Sequence, residues 1–588
     1  MTTGSLKVAG FTAAGLITAI SLMAPIDAQR ETNNTRQAAA PFTVVEASIA
    51  DMRTAMDQKR VTSRQIVTEY LTRIAIYEDK LHAALTVNPR ALTEADERDR
   101  ERAAGRVRGP LHGIPIALKD NIHTTDMPTT GGALAFDGFV PPYEATLTTN
   151  LRNAGAIIIA KTGMTELANW VAVGMPGNYN AIGGYGMNPY DPRRDPRPGT
   201  GDGRPVMGTG GSSSGIGTTA NLWAANVGTE TSGSILTPAA STMLAAVKPT
   251  VGRVSRYGVI PITADQDTAG PMTKTVRDAA ILLGVLEGPS PDSHDAATTR
   301  CAPPPNRDYT RYLTTDALRG ARIGIPRASY PGNFTGQPGT VMSEAISALT
   351  RLGAVVVDPA EIPSVVTTDS ANSFREWGTC STGAQRRGSD EGCSIVLKYG
   401  MKRDFNAWLA TLGPAAPVKT LAELIAWNSA HKDAGAIKYG QTLLEISDEM
   451  DVERDRARYE RDRARDLELS ATHGIDEAIK TNRLDAILFY GSSGSAIAAK
   501  AGYPSVIIPM GFVNNAPASL PPGFNLKPQP AAVTFTGLAC TEPQLLGYAY
   551  ALEQATKKRK APVLNPGNSI SASFRTDLRQ QRIFLLLR

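Results

Sequence analysis

Histidine is scarce in this chain, six in 588 residues, and none lies between His123 and His294. That gap encloses the stretch richest in serine and glycine, so a serine nucleophile there must find another base, and lysine is the usual replacement. Neither CxxC nor HExxH occurs, which leaves a metal site without support, and no cofactor is called for. No glycine-rich loop ends in GK[ST], so a phosphate-binding loop fails as well. The net charge of +5 is weak for this length and the charges are interleaved, so a nucleic-acid partner is not expected. Cysteines number four. Cys380 and Cys393 flank a polar loop and can pair, Cys540 in its apolar context reads as a lone buried thiol, and spacing alone does not decide the connectivity. Long apolar runs are confined to one, Val8 to Met23, which ends near Ala24 and Ala28. It reads as a signal peptide over residues 1–28, or an anchor if uncleaved, followed by a disordered lead-in at 29–41. The mature protein is therefore expected to be secreted or periplasmic and off the membrane.

What is present is an ordinary globular composition, 42% apolar and 20% charged. Helix and strand patterns alternate. Two amphipathic helices are read between Phe42 and Tyr77, the first beginning at Thr43 and the second capped by Thr62-Ser63. A strand Ala83–Val87 and a charged helix Leu92–Ala104 follow. Ile114–Leu118 reads as a buried strand, Ala145–Asn150 as helix, Ala156–Lys161 as strand and Glu166–Val173 as helix. Residues 178–205, rich in Gly, Pro, Asp and Arg, read as a long surface loop. Strands are expected at Val247–Ser255, Gly258–Pro261, Ala321–Pro326, Ala354–Val357, Leu484–Tyr490 and Ser505–Pro509. Asp267–Met272 reads as a polar turn and helix start. Helices are expected at Val276–Leu286, Val341–Leu352 and Leu545–Ala555, with residues 365–474 mostly helical and the charged run Asp448–Glu468 a solvated face. The pattern is that of an α/β protein with a mixed sheet. A main domain over 42–565 and a C-terminal tail at 566–588 complete the reading.

Two stretches carry chemistry. Met207 to Pro238, MGTGGSSSGIGTTANLWAANVGTETSGSILTP, holds two serine-bearing glycine loops, Gly210–Gly215 and Gly228–Ser234, joined by an apolar segment long enough for about three helical turns. Glycines let backbone N–H groups crowd around one point, and a helix begun after Ser234 would aim its N-terminal N–H groups there too. That is how an oxyanion site is built. The second stretch, LHGIPIALKDNI, delivers Lys119 and Asp120 from a buried strand. A buried lysine is paired, for which Asp120 is at hand, or neutral. Lowering its pKa from about 10.4 to about 7 corresponds to roughly 4 kcal/mol, which desolvation can supply.

Gly211-Ser212-Ser213-Ser214-Gly215 also fits the GxSxG elbow, with Ser213 as nucleophile and a later histidine, His294, His431 or His473, completing a triad. The elbow needs a buried strand before it. A loop precedes it here, and all three histidines lie in polar or helical stretches.

GIPIALKDNI, the GGSSSG loop, GTETSGSILTPA, VKPTVGRVS and DTAGPM together resemble the amidase signature family, with its spacing, from about residue 45 to about residue 560. The resemblance implies an α/β/α fold with a central mixed sheet covered by helices, and hydrolysis of amides by a Ser–cis-Ser–Lys triad. It assigns Lys119 as the base, Ser234 as the nucleophile and Ser212 as the bridging serine preceded by a cis peptide. Ser213 stays an alternative bridge, because the segment from Ser212 to Ser234 is about two residues shorter than the common spacing. The N–H groups of Thr231, Ser232, Gly233 and Ser234 match the oxyanion hole, with Ser232 where Gly or Asp is more usual. Leu236 stands where some relatives that take carboxylate-bearing substrates carry arginine, so a neutral or apolar acyl group is expected. Leu421–Gln441, together with GTET, resembles the bacterial peptide amidase branch. The expected function is a secreted amidase acting on a peptide, small or aryl amide. Alternatives are hydrolysis of esters or carbamates in the same site, a component of a tRNA-dependent amidotransferase, or an inactive binding relative.

Overall fold

The computed structural model describes residues 42–198, 202–289, 291–515 and 520–564. The leader, the lead-in and the C-terminal tail expected from the sequence lie outside these residues. Eleven strands form one sheet: β1 Ala84–Val87, β2 Pro115–Lys119, β3 Ile157–Thr162, β4 Ala225–Glu230, β5 Ala245–Lys248, β6 Thr268–Thr273, β7 Arg322–Gly324, β8 Val355–Val357, β9 Ala486–Tyr490, β10 Ser505–Val513 and β11 Gln529–Thr536. Their spatial order is β1-β3-β2-β4-β6-β5-β10-β11-β9-β7-β8. β2 runs parallel to both β3 and β4, whereas β6 is antiparallel to β4 and β5, so the sheet is mixed.

Period-two alternation sorts the central strands between two cores. Val506 and Ile508 of β10 and Val533 and Phe535 of β11 enter the large core that also contains Ile66, Leu283, Leu349 and Leu552 from helices 63–81, 276–287, 336–351 and 542–556. Ile507 and Ala532, on the opposite face, pack with Ile235, Leu236 and Ala239 at helix Leu236–Ser241. Further along that face, Ile487 and Phe489 of β9 meet Ile475, Ile479 and Ile497. A helix–sheet–helix sandwich follows, as the α/β/α reading requires.

Several boundaries differ from expectation. The first helix begins at Ile49 rather than Thr43, because Ser48 supplies the cap and closes a capping box with Asp51. Thr62 caps the second helix as expected. The apolar segment between the serine loops makes only the short helix Ile216–Thr219; Asn221 then turns left-handed and the chain enters β4. Glu166–Val173 is a tight turn rather than a helix, with Leu167, Ala168 and Asn169 all at positive φ. Residues 178–205 are not a surface loop over their whole length. Asn178, Tyr179, Asn180, Met187, Asn188 and Tyr190 are buried. Asn188 donates to the carbonyls of Gly208 and Ser241, which supplies the partners that buried backbone needs.

Gly258–Pro261 makes one bridge, Val259 to Ile122, and no strand. The polar face of Asp448–Glu468 is not wholly solvated either, since Asp462 and Asp466 are buried, Asp466 against Lys500 at 2.7 Å. Cys380 and Cys393 form a disulfide, and Cys540 is not a lone thiol: it is bonded to Cys301.

Candidate active site

β2 and β4 are parallel neighbours, and their C-terminal ends set the site. Lys119, the last residue of β2, is fully buried, with Nζ 2.8 Å from Thr229 Oγ1, 3.1 Å from Thr229 O and 3.0 Å from Ser212 Oγ. Asn121 Nδ2 donates to the same Thr229 hydroxyl at 3.1 Å. Among the described residues no carboxylate lies within ion-pair distance of Lys119. Asp120 is paired instead with Lys161 of β3, at 3.3 Å, and accepts from Thr130 N. Of the two alternatives for a buried lysine, pairing with Asp120 is not the one the structure shows. Burial lowers the pKa of Lys119 to about 7, against the opposing pull of the Asp267 and Glu230 carboxylates.

A neutral amine has two N–H donors and one lone pair. Thr229 offers two acceptors, its carbonyl and its hydroxyl, and so takes both donors. The lone pair is left for the hydroxyl of Ser212. Ser213 is held differently. Its hydroxyl donates to Thr229 O at 2.9 Å and accepts from Thr229 N at 3.1 Å, which clamps the serine loop to β4 and commits the side chain. Its hydroxyl is therefore occupied on both its donor and acceptor sides in this structure. The later histidines are elsewhere: His294 stacks on Tyr257, His431 stacks on Trp427 and His473 bonds Glu477.

Ser234 lies in the turn that leaves β4, with its carbonyl accepting from Ser213 N at 3.1 Å, so the two serine loops are in direct contact. Gly233 has φ +79°, and a Cβ there would stand 3.0 Å from Thr237 Oγ1, so this position requires glycine. None of the N–H groups of Thr231, Ser232, Gly233 and Ser234 donates to an acceptor among the described residues. Ser232 is exposed and Ser234 is 7% exposed. The N–H groups of Ile235 and Leu236, in contrast, do not point to the site as expected from a helix start, because the Glu230 carboxylate accepts both, at 2.7 and 2.9 Å.

Two further expectations are corrected. Among the described residues the single cis peptide bond is Asp358-Pro359, so the bond into Ser212 is trans. The Lys119–Ser212 contact is made at 3.0 Å with that geometry. No hydrogen bond joins the Ser212 and Ser234 side chains in this structure. Leu236 does not line the site; it is fully buried under the sheet with Ile235 and Ala239. The wall beside Thr231 is instead a narrow crevice lined by Asn121, Ala168, Thr229, Ile260 and Ile262. Sequence alone assigns no role to Thr229, Asn121, Glu230, Gln266 or Asp267, although all but Gln266 lie inside the quoted motifs GIPIALKDNI, GTETSGSILTPA and DTAGPM.

Comparison with known proteins decides the lineage. A family model described as Amidase matches residues 65–546. The chain belongs to the amidase signature family. A probable amidase of Arabidopsis thaliana is 34% identical over 527 residues, covering 89% of this chain and 92% of its own length. The solved peptide amidase of Stenotrophomonas maltophilia is 37% identical, with a TM-score of 0.75, 89% of this chain and 100% of that chain covered. A glutamyl-tRNA(Gln) amidotransferase component of Thermosynechococcus vestitus is 37% identical over only 311 residues, 53% of this chain and 60% of that protein. As a family member with these neighbours, the chain is an enzyme that hydrolyses amide C–N bonds. The amidotransferase component is a more distant relative.

Proposed function

We propose that this enzyme is an exported serine amidase acting on peptide amides or small uncharged amides, with Ser234 as nucleophile, Ser212 as proton bridge and Lys119 as base. The observation that carries it is the donor count at Lys119: Thr229 takes both N–H groups of a neutral amine and leaves its lone pair to Ser212. Ser234 Oγ attacks the carbonyl carbon as its proton passes to Ser212 Oγ and the Ser212 proton passes to Lys119 Nζ. The unpaired N–H groups of the loop Thr231–Ser234 hold the oxyanion. When the C–N bond breaks, the proton returns along the same path to the leaving nitrogen. Water then attacks the acyl-enzyme, losing its proton to the relay, which re-forms the Ser234 hydroxyl and releases the acid. The Ser212–Ser234 link closes in the substrate complex, as catalytic hydrogen bonds commonly do.

The likeness to a peptide amidase supports a peptide amide over an ester or carbamate. Export is supported by two disulfides, which persist in oxidising compartments, together with the leader-like N-terminus. The test is ammonia and amine release from a panel of peptide amides, aryl amides and carbamates, with acid release from matched esters, by residues 29–588. Ser234→Ala, Lys119→Ala and Ser212→Ala are each expected to lose at least 10³-fold in kcat, and Ser213→Ala to retain turnover if folded. Unchanged release by Ser234→Ala would sink the assignment.

A further inference from the structure

Thr231 opens the nucleophile loop, and it is gripped from both sides by one turn. Its hydroxyl donates to Asp267 Oδ1 at 2.5 Å, and its carbonyl accepts from Gln266 Nε2 at 3.1 Å. Asp267 is itself fixed, since its second oxygen accepts the N–H groups of Ile262 at 2.8 Å and Thr263 at 3.0 Å. Asp267 N donates to Thr263 O at 3.0 Å and closes the turn. The chain then enters β6, which pairs with β4 through Thr268 and Glu230. One carboxylate thus ties the turn 262–267 to the first residue after β4, where the unpaired N–H groups begin.

We propose that Asp267 is the positioning residue of this active site, holding Thr231 so that the N–H groups of the nucleophile loop converge. The inference rests on the function proposed above. Asp267 touches neither the attacking oxygen nor the base; it acts through Thr231.

Two variants test it. Asp267→Asn keeps the shape but removes the charge and, with its one carbonyl oxygen held by the N–H groups of Ile262 and Thr263, turns an amide N–H in place of an acceptor toward the Thr231 hydroxyl, whereas Thr231→Val removes the hydroxyl but leaves the charge. Loss of one oxyanion donor costs about 10²–10³ in kcat, so a misplaced loop is expected to cost about 10- to 100-fold, with KM within about threefold. Both variants should show that fall in kcat. The double variant should be no slower than the slower single, since the two changes break one contact. Melting temperature controls for folding, and if Asp267→Asn does not fold, Thr231→Val carries the positioning claim alone.

A Thr231→Val enzyme with kcat within threefold of wild type would overturn the positioning claim. That result beside wild-type amide release that vanishes in Ser234→Ala leaves the proposed function standing. Absence of amide release by the wild type overturns both.

Discussion

Replacing the buried lysine should remove activity and stabilise the protein, and the stabilisation should depend on pH in a defined direction. In the fold Lys119 titrates near 7, against 10.5 for an unperturbed lysine. Between these values the unfolded chain binds one more proton than the folded one, so stability rises with pH across that window. Linkage over that interval makes the lysine cost about 4 kcal/mol at pH 7 and about 2 kcal/mol at pH 9. Lys119→Met fills a similar volume and carries no such cost. The acceptors it deserts remain satisfied, because Thr229 O still accepts from Ser213 Oγ and Thr229 Oγ1 from Asn121. Ser212 loses its partner, which costs about 1–2 kcal/mol. The variant should therefore be more stable than wild type by about 2–3 kcal/mol at pH 7, an advantage shrinking by about 2 kcal/mol at pH 9. Chemical denaturation of both proteins at pH 7, 8 and 9 measures this. A Met variant that is less stable at pH 7, or a difference that does not change with pH, would refute the buried neutral amine.

Because Lys119 must be neutral to act, kcat/KM on an amide should rise through an acid limb near pH 7 and fall about tenfold per unit below it. Initial rates from pH 5 to 9 check this, and a profile flat down to pH 5 would count against lysine as the base. Cys301 and Cys540 close a loop of 239 residues, so Cys301→Ser should cost about 5 kcal/mol by chain entropy, against about 3 kcal/mol for Cys380→Ser with its 13-residue separation. Thermal melts of the two variants rank them; equal midpoints would show that native-state contacts, not loop closure, set the contributions.

How far the sequence revealed the fold depended on whether each signal was local. The Thr62-Ser63 cap and the amphipathic period that follows mark a helix that the structure repeats and carries past Tyr77 to Leu81. β6 was misread because it contains Gly270 and Pro271, both breakers in a strand pattern. The glycine is there for proximity, since a Cβ on Gly270 would come within 2.1 Å of Val247 O on the adjacent strand. β11 was missed behind a Pro-rich lead-in, and its place between β9 and β10 is a tertiary fact. The Cys301–Cys540 pairing spans too much chain for any local pattern to show. At the candidate site, Lys119 and the two serine loops that the structure brings together stand out in sequence because glycine spacing and the histidine gap are visible in one dimension. Thr229, Asn121 and Asp267 do not, because an ordinary threonine or aspartate becomes informative only when its neighbour is known.

The adjacency of Lys119 and Asp120 shows why a pairwise reading of sequence misleads here. Lys119 is the last residue of β2 and Asp120 the first of the turn that follows, and the two side chains take different partners although they are covalent neighbours. Asp120 meets Lys161 of β3 at 3.3 Å with both side chains fully buried. On the other side of β2, Lys119 faces β4, whose Thr229 offers oxygen acceptors but no charge. A lysine that met Asp120 would be held protonated and useless as a base. A lysine supplied only with neutral acceptors in a dry site gives up its proton near neutrality. By occupying Asp120, Lys161 leaves Lys119 without an ion partner, which is what the proposed role of Lys119 as base requires.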